Sequence, residues 1–406
     1  MAGLGAAVVA VLLGGRPLAA WWARQAAVRQ LSVGAVSESL RWLAWADWLK
    51  ADRGLNELTR AVGFRLLGQM DRWSQAVDAA GRAGAPHALV RREMKLGLIS
   101  GGQFDPEAGQ QLGQWNAEAP TGYDVPVAFL KSCLANGNYP LARVLLEAWT
   151  ADSPSDVHLE YAWGLYWESF GKGRQAQTHF EAALARQPEH ELARLALAKT
   201  LETRLEPEAA LRQYLETHAR APTSELAAAG IARLLCHRGR FDEARQVLAP
   251  LAGEPGPSAA VTAELGRTAL ESGDYDQAVR WLGRLADDPA VASDVMIKAG
   301  IARALAGQSV EADQLFAQAR SGSHRQSRRY DLQVRTAIDP RDAAAARELE
   351  QLSRPPVLAG PEAAEDDSTR GMPPTDEARA LYERHCSACH GVDGDGQGRA
   401  ARHLYP

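Results

Sequence analysis

The sequence predicts an all-α fold: an α-solenoid of stacked helical hairpins, followed by the start of a second, smaller all-α unit. Three observations carry this. A set of small and large residues recurs every 34 positions through the middle of the chain. Within each copy, the small residues and a turn glycine fall where two packed helices and their connection need them. A proline-rich, acidic stretch at 351–375 then separates the array from a short C-terminal segment. With 406 residues, 46% of them apolar, the chain has ample material for a core. A charged fraction of 23% and a net charge of -5 argue against nucleic acid as a partner. Four cysteines are too few for a disulfide scaffold.

The N-terminal residues 1–23 read as a signal or anchor segment. Ala2 to Gly15 carries no charge and has the length of a signal h-region. Counted through Trp22, the stretch reaches spanning length, and Trp21 and Trp22 suit a membrane interface. No Lys or Arg precedes the run, whereas Arg16, Arg24 and Arg29 come after it, which opposes export of the downstream chain. A basic n-region missing before Met1 would resolve the conflict. The alternative is a buried first helix of the solenoid, although its glycines make a poor soluble helix.

The repeat is clearest from Gly164, Gly171, Ala176, Phe180, Ala183 and Pro188. Successive steps of 34 reach Ala198, Leu205, Ala210, Tyr214 and Pro222, then Ala232, Gly239, Ala244 and Leu248. Gly266, Gly273, Ala278 and Leu282 come next, then Gly300, Gly307, Ala312 and Phe316. Backwards, Gly137, Ala142, Leu146 and Pro154 fit, and Ala108, Leu112 and Pro120 fit more weakly. Small residues at Gly164 and Ala176 allow close helix approach, Gly171 supplies a left-handed helix end, and Pro188 stops the second helix. The pattern resembles the tetratricopeptide repeat, with strict register over about 89–322 and looser hairpins extending it to 31–350. Ala76, Ala80 and Ala83 suggest an earlier copy out of phase, Leu205 stands where a turn glycine belongs, and Asp331–Leu352 reads as a degenerate capping unit.

Within the array, Trp42, Trp45 and Leu49 read as core at helical spacing, as do Trp163 and Trp167. Cys133 and Cys236 read as buried, unreactive thiols. His158, His179, His190, His218 and His237 show no metal-type pairing, and no nucleophile elbow, phosphate loop or carboxylate pair is present. The array therefore reads as a binding scaffold rather than an active site.

Beyond the linker, Thr375 or Asp376 caps a helix with Ala378, Leu381 and Tyr382 on its apolar face. It leads into Cys386-Ser387-Ala388-Cys389-His390, the C-x-x-C-H spacing of c-type haem attachment. A zinc site lacks its second ligand pair, and a redox C-x-x-C lacks its strand–helix setting. Cys386 and Cys389 would hold one covalent haem c as thioethers, with His390 as proximal iron ligand. The flanks, including the loop of Gly394, Gly396 and Gly398, make residues 376–406 resemble the start of a class I cytochrome c domain. That resemblance implies a distal methionine and a C-terminal helix further on, so the segment reads as a truncated domain. Met372 and His403 are poor substitutes for the distal ligand.

Two functions fit these features. The first is an extracytoplasmic, periplasmic-type electron-transfer protein, anchored by its N-terminus, whose haem is docked on a redox partner through the repeats. The second is an interaction scaffold in which haem is a sensor or secondary. An enzyme is the weaker reading. The ninth position of each repeat, which in such arrays faces the concave surface, is filled by Lys131, Leu165, Lys199, Arg233, Arg267 and Ile301. The four basic residues predict a positive stripe suited to a carboxylate-rich segment, the chain's own Glu362, Glu365, Asp366 and Asp367 included. The plain alternative is solvated side chains whose stems cover apolar surface.

Overall fold

A computed structural model describes residues 2–102, 115, 122–253, 256–286, 293–308, 310–319 and 347, with the backbone alone for 2–14. The chain divides into a large unit, Met1–Gln351, and a smaller one, Leu352–Pro406. The linker, Cys386, Cys389, His390 and the capping unit (Asp331–Leu352, bar residue 347) lie outside the described residues. Among the described residues every regular element is a helix.

The array starts with α6 (Asp124–Ala135) and α7 (Tyr139–Asp152), and continues as α8 (Val157–Ser169) with α9 (Gly173–Arg186). Next come α10 (Glu191–Thr203) with α11 (Pro207–Arg220), then α12 (Glu225–Cys236) with α13 (Phe241–Leu248). The hairpin of α14 (Ala259–Glu271) and α15 (Tyr275–Ala286) precedes α16 (Ser293–Leu305) and a helical run at 310–319. From α8 onward, the first helices begin at 157, 191, 225, 259 and 293, close to the expected period.

The small residues do what their spacing predicts. A Cβ on Gly164 would stand 2.3 Å from the Phe180 ring, and one on Gly266 2.5 Å from Leu282. Ala176, Ala210, Ala244 and Ala278 are wholly buried, which is the cost of bringing the hairpin helices together. Each turn residue is left-handed: Gly137, Gly171, Gly239, Gly273 and Gly307 all have φ between 66° and 83°. Leu205 occupies the same conformation at φ 61° without the glycine and exposes its side chain. Each of these turns keeps its conformation whether or not the sequence favours it.

The N-terminal helices are α1 (Ala2–Ser32), α2 (Val36–Trp48), α3 (Arg53–Leu67), α4 (Met70–Arg82) and α5 (His87–Ser100). The boundary expected at residue 23 falls inside α1, and residues before 31 already pack against α2. Ala19, Ala20 and Ala23 are buried in one cluster with Ala46 of α2 and Leu49 just past its end, with Trp42 and Trp45 packed on it. Leu31 joins the main core with Val36, Val62 and Leu66. The break in α1 lies instead at Gly15 (φ 71°, ψ 179°), two residues before Pro17. Among the described residues no helix is long and apolar enough to cross a membrane.

Buried polar contacts tie this N-terminal region to the array. Arg65 of α3 reaches Glu93 of α5 (Nε–Oε1 2.7 Å) and Asp124 of α6 (Nη2–Oδ2 2.7 Å), all three fully enclosed. Glu191 accepts from the Ser37 backbone N–H (2.7 Å) and from the hydroxyls of Ser37 (2.6 Å) and Ser224 (2.7 Å). These bonds attach the start of α2 to the starts of α10 and α12.

The candidate binding groove

The first helices of the array line a groove of about 750 Å³. Its apolar wall includes Leu165, Leu192, Leu195 and Leu226, while Leu66 and Leu67, at the end of α3, also line it. Five of the six ninth-position residues line it: Lys131, Leu165, Lys199, Arg233 and Arg267. Ile301 is exposed but is not part of this wall.

The expected positive stripe is largely cancelled. Arg233 donates to Glu202 (Nη2–Oε2 2.8 Å) and to Glu264 (Nη1–Oε1 3.1 Å). Burial by itself would lower the Arg233 guanidinium, but these hydrogen bonds and charges prevail and push its pKa up. Glu202 answers in the opposite sense: burial would raise it, and the Arg233 contacts hold it below the ordinary carboxylate value. Arg267 pairs with Glu264 in turn and is itself nearly buried. The carboxylates sit 31 residues before and after Arg233, one repeat less one helical turn, so that each faces it from an adjacent first helix.

Lys131 is drawn inward rather than outward. Its ammonium donates to the Leu66 carbonyl at 3.2 Å, at the C-terminal end of α3. Burial, then the positive charges of Arg65 and Lys199, bring its pKa down to about 8. Lys199 keeps the most open charge of the four: its side chain is 70% exposed, 3.5 Å from Glu168. The groove therefore offers an apolar wall, a neutralised ladder of Glu202, Arg233, Glu264 and Arg267, and an accessible ammonium.

Two expectations about single residues meet the structure differently. Cys133 and Cys236 are free, buried thiols whose pKa burial pushes up, as inert core cysteines require. The histidines, however, include a pair that spacing did not reveal. His158, near the start of α8, lies 2.9 Å (Nδ1–Nε2) from His190, the N-cap of α10. The Ala193 N–H donates to His190 Nδ1 at 3.2 Å, so the neutral ring carries its proton on Nε2. That proton is donated to His158 Nδ1, which leaves His158 Nε2–H for the Ser32 carbonyl at 2.8 Å. Tyr123 stacks on His158 at 3.6 Å between centroids and donates to the Leu31 carbonyl. Burial lowers both histidines, and His158 lowers His190 further. The cue was present: both residues stand at the N-terminal ends of consecutive first helices. Among the described residues, no group of three or more His, Cys, Asp or Glu is placed to hold a metal.

Residues 103–253 match the family model described as the protein kinase G tetratricopeptide repeat. No curated protein matches the chain. Among solved structures it is similar to the APC/C hetero-tetramer Cut9–Hcn1, with a TM-score of 0.51 and 14% identity over 87% of this chain and 82% of that one. A tetratricopeptide repeat protein from Parabacteroides merdae aligns at a TM-score of 0.41 and 13% identity, over 74% and 98% of the two chains. PilW, a type IV pilus biogenesis factor, aligns at 0.41 and 16%, over 56% and 97%. The likeness to Cut9–Hcn1 is one of fold. Together with the register of the hairpins, the family-model match over 103–253 and the likeness to Cut9–Hcn1 support an array with the tetratricopeptide-like helical-hairpin solenoid fold.

Proposed function

We propose that the protein is an interaction scaffold that captures a segment of a partner protein in the groove of its repeats. The observation that carries this is the continuous groove, with Leu165, Leu192 and Leu195 beside the exposed Lys199. An occupant needs apolar side chains for the wall and a carboxylate for Lys199, in place of the broadly acidic segment expected from four free cations. A peptide library screened against the full chain tests it. Bound peptides should share that chemistry and lose at least tenfold in affinity to K199E combined with Leu165→Asp, with thermal stability preserved. Unchanged affinity in that variant overturns the groove as the site.

The finer reading adds a haem and a compartment. Cys386 and Cys389 with His390 form the donor set that a covalent haem c needs, two thiols for the vinyl groups and an imidazole for iron. Bound there, the haem would supply one-electron transfer, and the scaffold would bring it to its redox partner. Attachment of that kind belongs to an extracytoplasmic space, with residues 2–15 as the means of export or anchoring. A pyridine haemochrome on the protein matured with c-type assembly, lost in a Cys386→Ser, Cys389→Ser variant, is the expected result. Haem that extracts into acid acetone refutes covalent attachment.

A further inference from the structure

The end of the α1–α2 hairpin carries an aromatic, basic surface that the groove and the haem leave unused. Past the break at Gly15, α1 buries Ala19, Ala20 and Ala23 and turns the opposite face outward. On that face Leu18 is 49% exposed and Trp21 56%, while Trp48, at the end of α2, is 67% exposed. The Arg16 guanidinium lies 5.9 Å from the Trp48 ring centre, so the break in α1 and the end of α2 are neighbours. From Trp48 the aromatic run continues inward through Trp45 and Trp42 to Trp22, with ring centres 5.4 to 6.3 Å apart.

Basic residues accompany these rings. Arg16 is exposed beside Trp48, and Lys50 and Arg53, which follow Trp48 closely in the chain, are exposed as well. The nearby carboxylates are occupied: Asp47 accepts from Arg60 and Asn56, and Asp52 caps α3 through the Leu55 N–H. Immediately before Arg16 the sequence carries fourteen residues without a charge, Ala2 to Gly15, on the same helix. Tryptophan, with an apolar ring and one N–H, is suited to the level where acyl chains meet headgroups, and guanidinium and ammonium groups to lipid phosphates.

We infer that this hairpin end is a lipid-contacting collar, in which Leu18, Trp21 and Trp48 enter the interface of an anionic bilayer and Arg16, Lys50 and Arg53 meet its phosphates. The inference rests on the reading of residues 2–15 as a membrane-seeking segment, and goes beyond it by assigning the contact to two helices of the folded solenoid. The break at Gly15 then marks where the chain leaves the bilayer, and the buried alanine face of α1 fixes the array to that point.

The test uses the full chain and vesicles of phosphatidylcholine and phosphatidylglycerol, with and without acyl-brominated lipid. Wild-type tryptophan emission should be quenched by the brominated vesicles. A Trp21→Ser, Trp48→Ser variant should still co-sediment through residues 2–15 yet lose the larger part of that quenching. Arg16→Glu with Lys50→Glu should weaken the quenching and its salt dependence. Co-sedimentation with no quenching, or with equal quenching in wild type and double variant, overturns the collar while leaving the anchor standing. Failure of the wild type to co-sediment refutes the anchor, and the collar with it.

Discussion

The repeats from α6 onward and the N-terminal helices α1 to α5 are both all-helical, but different interactions hold them. In the array, one apolar device recurs: a small residue such as Gly164 or Gly266 receives a large one such as Phe180 or Leu282 from the second helix. The N-terminal region shares that apolar core through Leu31, Val36, Val62 and Leu66, and adds single buried polar sites: Arg65 between Glu93 and Asp124, Glu191 under Ser37 and Ser224, and the His158–His190 relay to Ser32. A periodic apolar interface spreads its stability over many copies, so a single change is absorbed locally. A buried ion or imidazole contact concentrates it, since removing one partner leaves the others desolvated and unpaired.

The contrast between the two regions is sharpest at Arg65. Arg65→Ala leaves two enclosed carboxylates, Glu93 and Asp124, without their shared cation, and should cost about 3–5 kcal/mol in urea unfolding. Hydrogen exchange should show α1 to α5 loosening before the array does. A loss confined to about 0.5 kcal/mol would mean that the triad is no anchor.

Overpacking one repeat is the matching insult to the array. Gly164→Val sets a branched side chain where a Cβ alone already meets Phe180 at 2.3 Å, and should cost about 1–3 kcal/mol. Its effect on exchange should stay within α8 and α9 and their neighbours. Spread to the N-terminal helices would erase the distinction between the two regions.

Acid should act on the N-terminal seam first. Both His158 and His190 are lowered by burial, so the unfolded chain binds more protons and stability rises with pH in this range. The contribution is complete above the unfolded histidine value of about 6.5 and is lost as pH falls below it, with a limiting slope of about 1.4 kcal/mol per pH unit for each imidazole. The relay has no place for a further proton, because His190 Nδ1 already accepts from Ala193 and His158 Nδ1 from His190. Unfolding free energies measured between pH 7.5 and 5 should show the decline (about 2.5 pH units, the span over which histidine titrates), and His158→Gln should flatten it. An unchanged slope in that variant assigns the decline to other groups.

The smallest effect belongs to a turn of the array. Leu205→Gly relieves a left-handed leucine and should stabilise by about 1 kcal/mol, read as a higher urea midpoint. No gain would mean that Leu205 contributes elsewhere what its backbone costs.

Much of the molecule was legible in the residues. The register, the turns, the inert Cys133 and Cys236 and the groove positions Lys131, Leu165, Lys199, Arg233 and Arg267 derive from a period that the chain repeats in its own text. The charge state of the groove was not, because Glu202 and Glu264 reach Arg233 from adjacent first helices and cancel a stripe that looks basic position by position. Nor was the meeting of His158 and His190, 32 residues apart, with Ser32 more than a hundred residues upstream.

The sequence by itself determined everything periodic: small against large side chains, helix ends and the concave positions, because local packing rules recur with each repeat. The haem proposal likewise rests on a local pattern, the C-x-x-C-H spacing of Cys386, Cys389 and His390. Only the tertiary structure decided where the aperiodic N-terminal helices sit, which cations are neutralised and which face of α1 stays open at Leu18 and Trp21. Those outcomes depend on burial and on partners distant in the chain, and neither is a property of any one stretch of residues.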